Sequence, residues 1–489
     1  MSDRVALGKL STGVPGLDIL LGGGLSEFSF TLIAGAPGSG KTTLAHQIMF
    51  ALATPERRAL FFTVLGEPPL KMLRYQQQFS FFDMDKVGTS IRYVNLADDL
   101  RAGDFSGVLE RIMQEVEDFV PSLVFVDSFR SVVQTRRSGN EGLWDVQNFI
   151  QELGSRMATW QATTFLIGEY SQNDSEAHPI ITVADGIVAL THNEYQETVV
   201  RKMRVIKMRG QPHMVGSHTM RITDDGIRVY PRQLVTMPDA YLGHDRDPRR
   251  VSTGVAGLDG LLHGGLPQGH TVLVTGPTGI GKTVLGVQFL KAGAAAGEHG
   301  VAVYFEKHTA RLHNATLNDL VEDGKITIMD PVSLSLSIEE FLDELVQNIE
   351  RTGATRVVID SLSEIGLYLA PEFSKDLRLS VFRTLSMLAA RGITTMVMSG
   401  IEDGQPGLQF SIDDLCFLAD AVLVMRFAEV DGDLGKFMAV VKVRSSAHST
   451  ELRRYRIDTH GIQIDEGMIR YDGVLTGWPK PRPQAQLED

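Results

Sequence analysis

An eight-residue pattern, G-x-x-x-x-G-K-T, occurs twice in this chain of 489 residues, 241 positions apart. Its copies are Gly35-Ala36-Pro37-Gly38-Ser39-Gly40-Lys41-Thr42 and Gly276-Pro277-Thr278-Gly279-Ile280-Gly281-Lys282-Thr283. Such a segment wraps phosphate: backbone N–H groups curl around its oxygens, the Lys neutralises the terminal phosphates and the Thr hydroxyl ligates Mg²⁺. Glycine is needed because the backbone must approach closely, at φ values a Cβ opposes. The residues expected to hold the first nucleotide are Gly35, Gly38, Ser39, Gly40, Lys41, Thr42 and Thr43. Their counterparts are Gly276, Thr278, Gly279, Gly281, Lys282, Thr283 and Val284. Two nucleoside triphosphate sites are expected.

The repeat extends beyond these loops. Ser11-Thr12-Gly13-Val14-Pro15-Gly16-Leu17-Asp18 returns as Ser252-Thr253-Gly254-Val255-Ala256-Gly257-Leu258-Asp259 at the same offset. Later landmarks recur at offsets of 233 to 235: Val124-Phe125-Val126-Asp127-Ser128 with Val357-Val358-Ile359-Asp360-Ser361, Ala184-Asp185 with Ala419-Asp420, and Lys207-Met208-Arg209 with Lys442-Val443-Arg444. Ordered landmarks of this kind mark a duplication rather than two unrelated nucleotide-binding domains. The expected division is a first domain over 1–240, a second over 241–473 and a short disordered tail over 474–489. The join falls in the polar, turn-rich stretch 232–250.

Short apolar runs at 30–34, 59–64, 123–126 and 164–167 read as buried strands, matched by 271–275, 301–305, 356–359 and 394–398. Helical patterns at 42–52, 105–119, 283–292 and 377–390 separate them. Alternation of this sort gives the α/β class: tandem P-loop domains, each a mainly parallel sheet flanked by helices, with ligands at the carboxyl ends of the strands. A net charge of −13 argues against broad affinity for nucleic acid or acidic membranes. Cys416 is the only cysteine, no apolar run is long enough to span a bilayer, and Met1-Ser2-Asp3-Arg4 lacks the order of a signal peptide. A cytoplasmic protein is expected.

Asp127 and Asp360 end strongly apolar strands, where a carboxylate is costly unless it meets a cation. With Thr42 and Thr283 they are the expected Mg²⁺-side residues; the plainer reading of either Asp is a helix N-cap. Hydrolysis also needs a carboxylate to orient or deprotonate water. Glu67 and Glu306, each just past a second strand, are the candidates, against the reading of solvated loop acids. Lys207/Arg209 and Lys442/Arg444 occupy alternating positions, so each pair points one way on a strand. A solvated edge and a cationic finger reaching a neighbour's γ-phosphate both fit that pattern.

The paired loops, the S-T-G-V-x-G-L-D segments, D-S after each acidic strand and the K-x-R triplets resemble the KaiC family, the duplicated RecA-type ATPases of the cyanobacterial circadian clock. The resemblance runs from about Leu10 to Tyr471. It implies ATP and Mg²⁺ as cofactors, a homohexamer of two stacked rings with ATP at every subunit interface, and a KaiB-like partner. It also implies slow ATP hydrolysis in the first ring, autokinase and autophosphatase activity in the second, and K-x-R residues that act in trans.

The departures matter as much. The family carries two adjacent glutamates after the second strand of each domain, whereas this chain has Gly66-Glu67 and Glu306-Lys307. The family's adjacent Ser-Thr phosphoacceptors fall on Cys416 and Phe417, so the two-site phosphorylation cycle is not expected, with Ser411 the remaining hydroxyl nearby. Asp413-Asp414 add negative charge there. Two other functions stand beside the hexameric ATPase: a nucleotide-stabilised scaffold with nearly silent sites, and a DNA-linked motor. The motor would draw on Arg130, Arg136 and Arg137, which otherwise read as a solvated loop, and would need DNA-stimulated, salt-sensitive turnover.

Overall fold

In the runs Phe30–Gly35 and Thr271–Gly276 every residue is buried, as expected of strands covered on both faces. The computed structural model describes residues 8–63, 69–101, 105–127, 140–169, 183–195, 198–232, 249–305, 315–329, 337–361, 377–400, 419–430, 432–465, 471–473 and 480–481. The chain divides into two units, Met1–Arg232 and Gln233–Asp489, each built on one nine-stranded sheet. The 233–248 part of the expected linker lies outside the described residues.

The first sheet contains β1 (Phe30–Gly35), β2 (Ala59–Thr63), β3 (Ile91–Asn95), β4 (Leu123–Asp127), β5 (Thr163–Gly168), β6 (Gly186–Tyr195), β7 (Thr198–Met208), β8 (His218–Thr223) and β9 (Gly226–Tyr230). Their spatial order is β9-β8-β7-β6-β1-β5-β4-β2-β3. The second contains β10 (Thr271–Gly276), β11 (Gly300–Tyr304), β12 (Ile326–Met329), β13 (Arg356–Asp360), β14 (Thr394–Gly400), β15 (Ala421–Val430), β16 (Asp433–Val443), β17 (Arg453–Asp458) and β18 (Gly461–Ile464). It repeats the same order, β18-β17-β16-β15-β10-β14-β13-β11-β12.

From β3 across to β6, and from β12 across to β15, neighbouring strands run parallel. The remaining three strands of each sheet run antiparallel. The parallel part matches the sequence reading; the antiparallel extension was not anticipated. Its strands alternate: in β7, Met203 and Val205 are buried while Arg204 faces out, the period of a sheet with one wet face. A register shift in each β6–β7 and β15–β16 pair leaves Ile206 and Val441 exposed just before Lys207 and Lys442.

Helix α1 (Lys41–Leu52) covers one face of the first sheet; α2 (Phe105–Phe119) and α3 (Asn140–Thr159) cover the other, giving two separate apolar cores. The second unit has α4 (Lys282–Ala295), α5 (Ile338–Thr352) and α6 (Leu377–Ala390). Helix α5 starts where Ser337 accepts a hydrogen bond from the Glu340 N–H, with Glu339 and Glu340 in its first turn, and stops at Gly353 with φ 67°.

The repeated S-T-G-V-x-G-L-D segment is structural. Asp18 accepts from Ser11 Oγ at 2.5 Å, Thr12 N at 2.9 Å and Thr12 Oγ1 at 2.7 Å. Asp259 repeats this with Ser252 and Thr253 at 2.5, 2.8 and 2.6 Å. At the C-terminus, Tyr471 and Asp472 pair antiparallel with Pro481 and Lys480, so part of the stretch expected to be a disordered tail folds back as a strand. Among the described residues no helix is long and apolar enough to cross a membrane.

Candidate nucleotide sites

Each phosphate loop leaves the carboxyl end of a central strand, β1 or β10, and runs into the N-terminus of α1 or α4. That is where partial positive charge and free N–H groups favour an anion. The first glycine of each loop is fixed by crowding. A Cβ on Gly35 would lie 2.4 Å from the Leu190 carbonyl oxygen, and one on Gly276 would lie 2.6 Å from that of Met425. The last is fixed by conformation: Gly40 and Gly281 adopt φ 101° and 115° as the residues before the helices.

Side chains flanking the loops converge in both domains. Thr42 Oγ1 donates to Asp127 Oδ2 and Thr283 Oγ1 donates to Asp360 Oδ2, both at 2.6 Å. Each aspartate ends a strand one position removed from the loop strand, across β5 or β14. Lys41 Nζ donates to the Ala36 carbonyl at 2.9 Å, while Lys282 Nζ donates to those of Gly276 at 2.7 Å and Pro277 at 2.9 Å. Burial pushes the Lys41 amine below its ordinary value, opposed by the charges of Glu169 and then Asp127. Thr43 and Val284 sit in the first turns of α1 and α4.

Among the described residues no group of three His, Cys, Asp or Glu side chains is arranged to hold a metal by itself. Mg²⁺ is typically bound through one or two protein oxygens together with phosphate and water. The adjacent Thr and Asp oxygens fit that requirement at both loops.

The hairpins β8–β9 and β17–β18 close over the loops. A Cβ on Gly40 would come within 2.8 Å of Ile222 Cδ1, and one on Gly281 within 2.4 Å of Ile457 Cδ1. Gln47 on α1 ties its hairpin down, accepting from Ile227 N at 2.7 Å and donating to Ile227 O at 3.1 Å. Gln288 on α4 accepts from Ile462 N at 2.8 Å. The second loop has further supports, Tyr455 Oη donating to the Ile280 carbonyl at 2.8 Å and Lys436 Nζ to the Gly279 carbonyl at 3.5 Å.

A model of the KaiC ATPase family matches residues 10–234 and again 251–468. This chain belongs to the KaiC family. It is 25% identical to the circadian clock oscillator protein KaiC of Picosynechococcus over 490 residues, covering 96% of this chain and 92% of that one. It is 26% identical to KaiC of Thermosynechococcus vestitus over 490 residues, with the same coverage. It is 25% identical to KaiC 1 of Synechocystis over 496 residues, covering 97% and 92%.

In each domain of this KaiC-family chain the K-x-R residues are not near that domain's own loop. Arg209 pairs with Asp185 at 3.1 Å and Arg444 with Asp420 at 3.5 Å. Asp185 in turn accepts from Phe30 N at 3.0 Å, and Asp420 from Thr271 N at 3.0 Å. Phe30 and Thr271 are the first residues of the strands whose last residues open the loops, about 17 Å away at the usual rise per residue. Lys442 Nζ donates to Ala419 O at 2.8 Å, in the same region. Burial and Arg209 push the Lys207 amine down, with Asp185 opposing.

Glu67, Glu306, Cys416, Phe417, Ser411, Asp413, Asp414, Arg130, Arg136 and Arg137 lie outside the described residues. The last described rungs still bear on the glutamates. Thr63 stands opposite Asp127 and Tyr304 opposite Asp360. Glu306 is two residues beyond its rung and Glu67 four beyond, so Leu65 rather than Gly66 falls at the count of Glu306. Sequence reasoning missed Glu169, Gln47, Gln288 and Tyr455. The signal used for Asp127, a charge closing an apolar strand, also fits Glu169. Gln47 and Gln288 recur at the loop offset; Tyr455 has no such signal, because Met220 stands at the matching rung.

Proposed function

We propose that this chain hydrolyses ATP with Mg²⁺ at its phosphate loops as a homohexamer of two stacked rings, serving as a nucleotide-dependent signalling or timing scaffold. The observation carrying the oligomeric part is the placement of Arg209 and Arg444 at the opposite ends of the central strands from their own domains' loops. An arginine side chain cannot span that length. A residue so placed can stabilise γ-phosphate charge in a site completed by a neighbouring chain, where a cation acts on the transition state.

Within each site the chain's own groups divide the work. Backbone N–H groups of the loop and helix N-terminus bind the phosphates, and Lys41 or Lys282 neutralises them. Thr42 with Asp127, and Thr283 with Asp360, would hold Mg²⁺, which would supply charge neutralisation to the phosphates. Glu306 is the base we assign in the second domain. The relatives are named as clock oscillator proteins; a timing role and a KaiB-like partner are readings that follow from that kinship. Residual Ser/Thr autokinase activity is a further possibility of the second domain, read out as label retained on protein from γ-labelled ATP.

The test is complementation between chains. Lys41→Ala and Arg209→Ala proteins, each deficient in first-domain turnover, regain activity when mixed and reassembled, because some interfaces then combine an intact loop with an intact arginine. Mixtures no more active than the separate proteins would sink the trans arrangement. ATP held intact for days by the wild type would replace hydrolysis with a silent scaffold.

A further inference from the structure

We propose that Glu169 is the catalytic carboxylate of the first domain's site, accepting the proton of the water that attacks the γ-phosphorus of ATP. This rests on the reading that the first domain hydrolyses ATP. Strand β5 lies between the strand that feeds the phosphate loop and the strand that ends in Asp127. Its rungs place Gly168 opposite Ala34 and Ile167 opposite Asp127. Glu169 is the next residue, emerging at the carboxyl end of the sheet between Gly35 and Asp127. Ligands of open α/β sheets occupy that crevice.

Two further observations support the assignment. Glu169 is half-buried at a strand end whose preceding six residues are all buried, a position a solvated loop acid does not need. The second domain has Gly400 at this position, since Gly276 stands opposite Gly400 as Gly35 stands one step beyond the Ala34–Gly168 rung. The first domain thus has a carboxylate on the strand next to its loop where the second has none. Its Glu67 is displaced by two residues from the count at which the second domain has Glu306.

The step balances with water as the only co-reactant. The water oxygen forms a bond to the γ-phosphorus, and the bond from that phosphorus to the bridging β,γ oxygen breaks. ADP leaves with the electron pair of that bond, inorganic phosphate forms, and the water proton passes to the Glu169 carboxylate and then to solvent. A positioned general base of this kind is worth on the order of 100-fold or more.

The test uses the full chain carrying Lys282→Ala, which removes binding at the second loop, with and without Glu169→Gln. Glu169→Gln is expected to slow ADP release about 100-fold and to leave ATP affinity within about twofold; Glu169→Asp should recover part of the rate. Equal turnover with and without Glu169→Gln overturns the proposal. So does a loss of ATP affinity matching the loss of rate, because Glu169 would then only hold Lys41 in place. If Lys282→Ala alone is already inactive while still binding one ATP, the hydrolytic reading of the first domain itself has failed.

Discussion

The two domains share one backbone plan and fill it with different chemistry. Under α1 the first sheet presents Phe61, Tyr93, Phe125 and Phe165, with His46 on the helix above them. Ring centroids lie 4.4 Å apart for His46–Phe61, 5.9 Å for Phe61–Phe125 and 4.6 Å for Phe125–Phe165. The same rungs of the second sheet carry Ala302, Ile328, Val358 and Met396, and Val287 stands where His46 does. The helix over the second face also carries smaller residues. Gly286 replaces Ala45, and a Cβ there would meet Val358 Cγ1 and Met398 Cε at 2.9 Å. Sheet face and helix are therefore both smaller at this contact in the second domain, and no side chain fits between them at Gly286. Duplication preserved the loop, the Thr–Asp pair and the glutamine tie; it left the core and the surrounding carboxylates free to diverge.

The largest effect tests whether both loops bind. Lys41→Ala and Lys282→Ala should each reduce bound ATP from two per chain to one, since losing a buried cation against phosphate costs about 3 kcal/mol or more, over 100-fold in affinity. Equilibrium dialysis checks this. Unchanged stoichiometry in either variant would break the equivalence of the two loops.

The next effect is confined to the second domain. Arg356, only 3% exposed, pairs with Glu298 at 2.5 Å, donates to the Ser252 and Phe289 carbonyls at 2.7 and 2.8 Å and lies 4.6 Å over the Phe289 ring. Leu123 occupies the matching rung of the first sheet. Arg356→Ala should destabilise the second domain by about 3 kcal/mol, because the Ser252 and Phe289 carbonyls lose their donor and Glu298 keeps only its exposed partner Arg249, at 3.3 Å. The double change Arg356→Leu with Glu298→Leu should recover most of that loss. Denaturant unfolding of the full chain, followed by domain-resolved hydrogen exchange, separates the two results.

Acid should act on the opposite domain. Burial holds the His46 imidazole down to about 4, opposed by its hydrogen bond to the Thr42 carbonyl. Burial and then Arg232 hold His218 down to about 4, opposed by a hydrogen bond with the Val215 backbone. The unfolded chain binds these protons from an ordinary value near 6.5, so between pH 6.5 and 4 it takes up more protons than the folded one. Stability is fully present above 6.5 and falls as the pH drops through that window, by about 2 kcal/mol at pH 5 for His46. The second domain has Val287 and Arg453 at these positions. Urea midpoints of the first domain should fall between pH 7.5 and 5, and His46→Val should remove about half of the fall. An undiminished fall in that variant would exclude His46 as a cause.

The loops, the parallel strands and the Thr–Asp pairs were legible in the sequence because each depends on local order. Gly35 through Thr42 is contiguous, and Leu123–Asp127 announces itself as an apolar run closed by a charge. The antiparallel extension was less visible because β7 carries lysines and arginines on its wet face and is interrupted at Ile206. Glu169 and the Asp185–Arg209 pair were hidden for a different reason. Their meaning lies in which strands stand side by side, and β5 reaches its place between β1 and β4 only through the crossover order of the sheet. The K-x-R pairs show the same limit: alternation gave their shared direction on a strand, but not that Asp185 and Asp420 hold them at the far end from the loops.

The smallest effect concerns a buried support of the second loop that the first does not share. Tyr455 is 2% exposed, burial pushes its hydroxyl well above the ordinary tyrosine range, and that hydroxyl donates to the Ile280 carbonyl inside the second loop. Met220 stands at the matching rung in the first domain and makes no equivalent bond, so the first loop keeps its shape without one. Tyr455→Phe removes a single oxygen atom and leaves the Ile280 carbonyl without this donor. The expected cost is about 1–2 kcal/mol, expressed as a five- to thirtyfold loss of ATP affinity at the second loop if the bond fixes the loop's binding conformation. Calorimetric titration of ATP into Lys41→Ala protein isolates that loop, and the same titration with Tyr455→Phe added reads the difference. Affinity unchanged together with a lowered melting temperature would mean that Tyr455 only packs the domain. The two loops would then be held equally well despite their different surroundings.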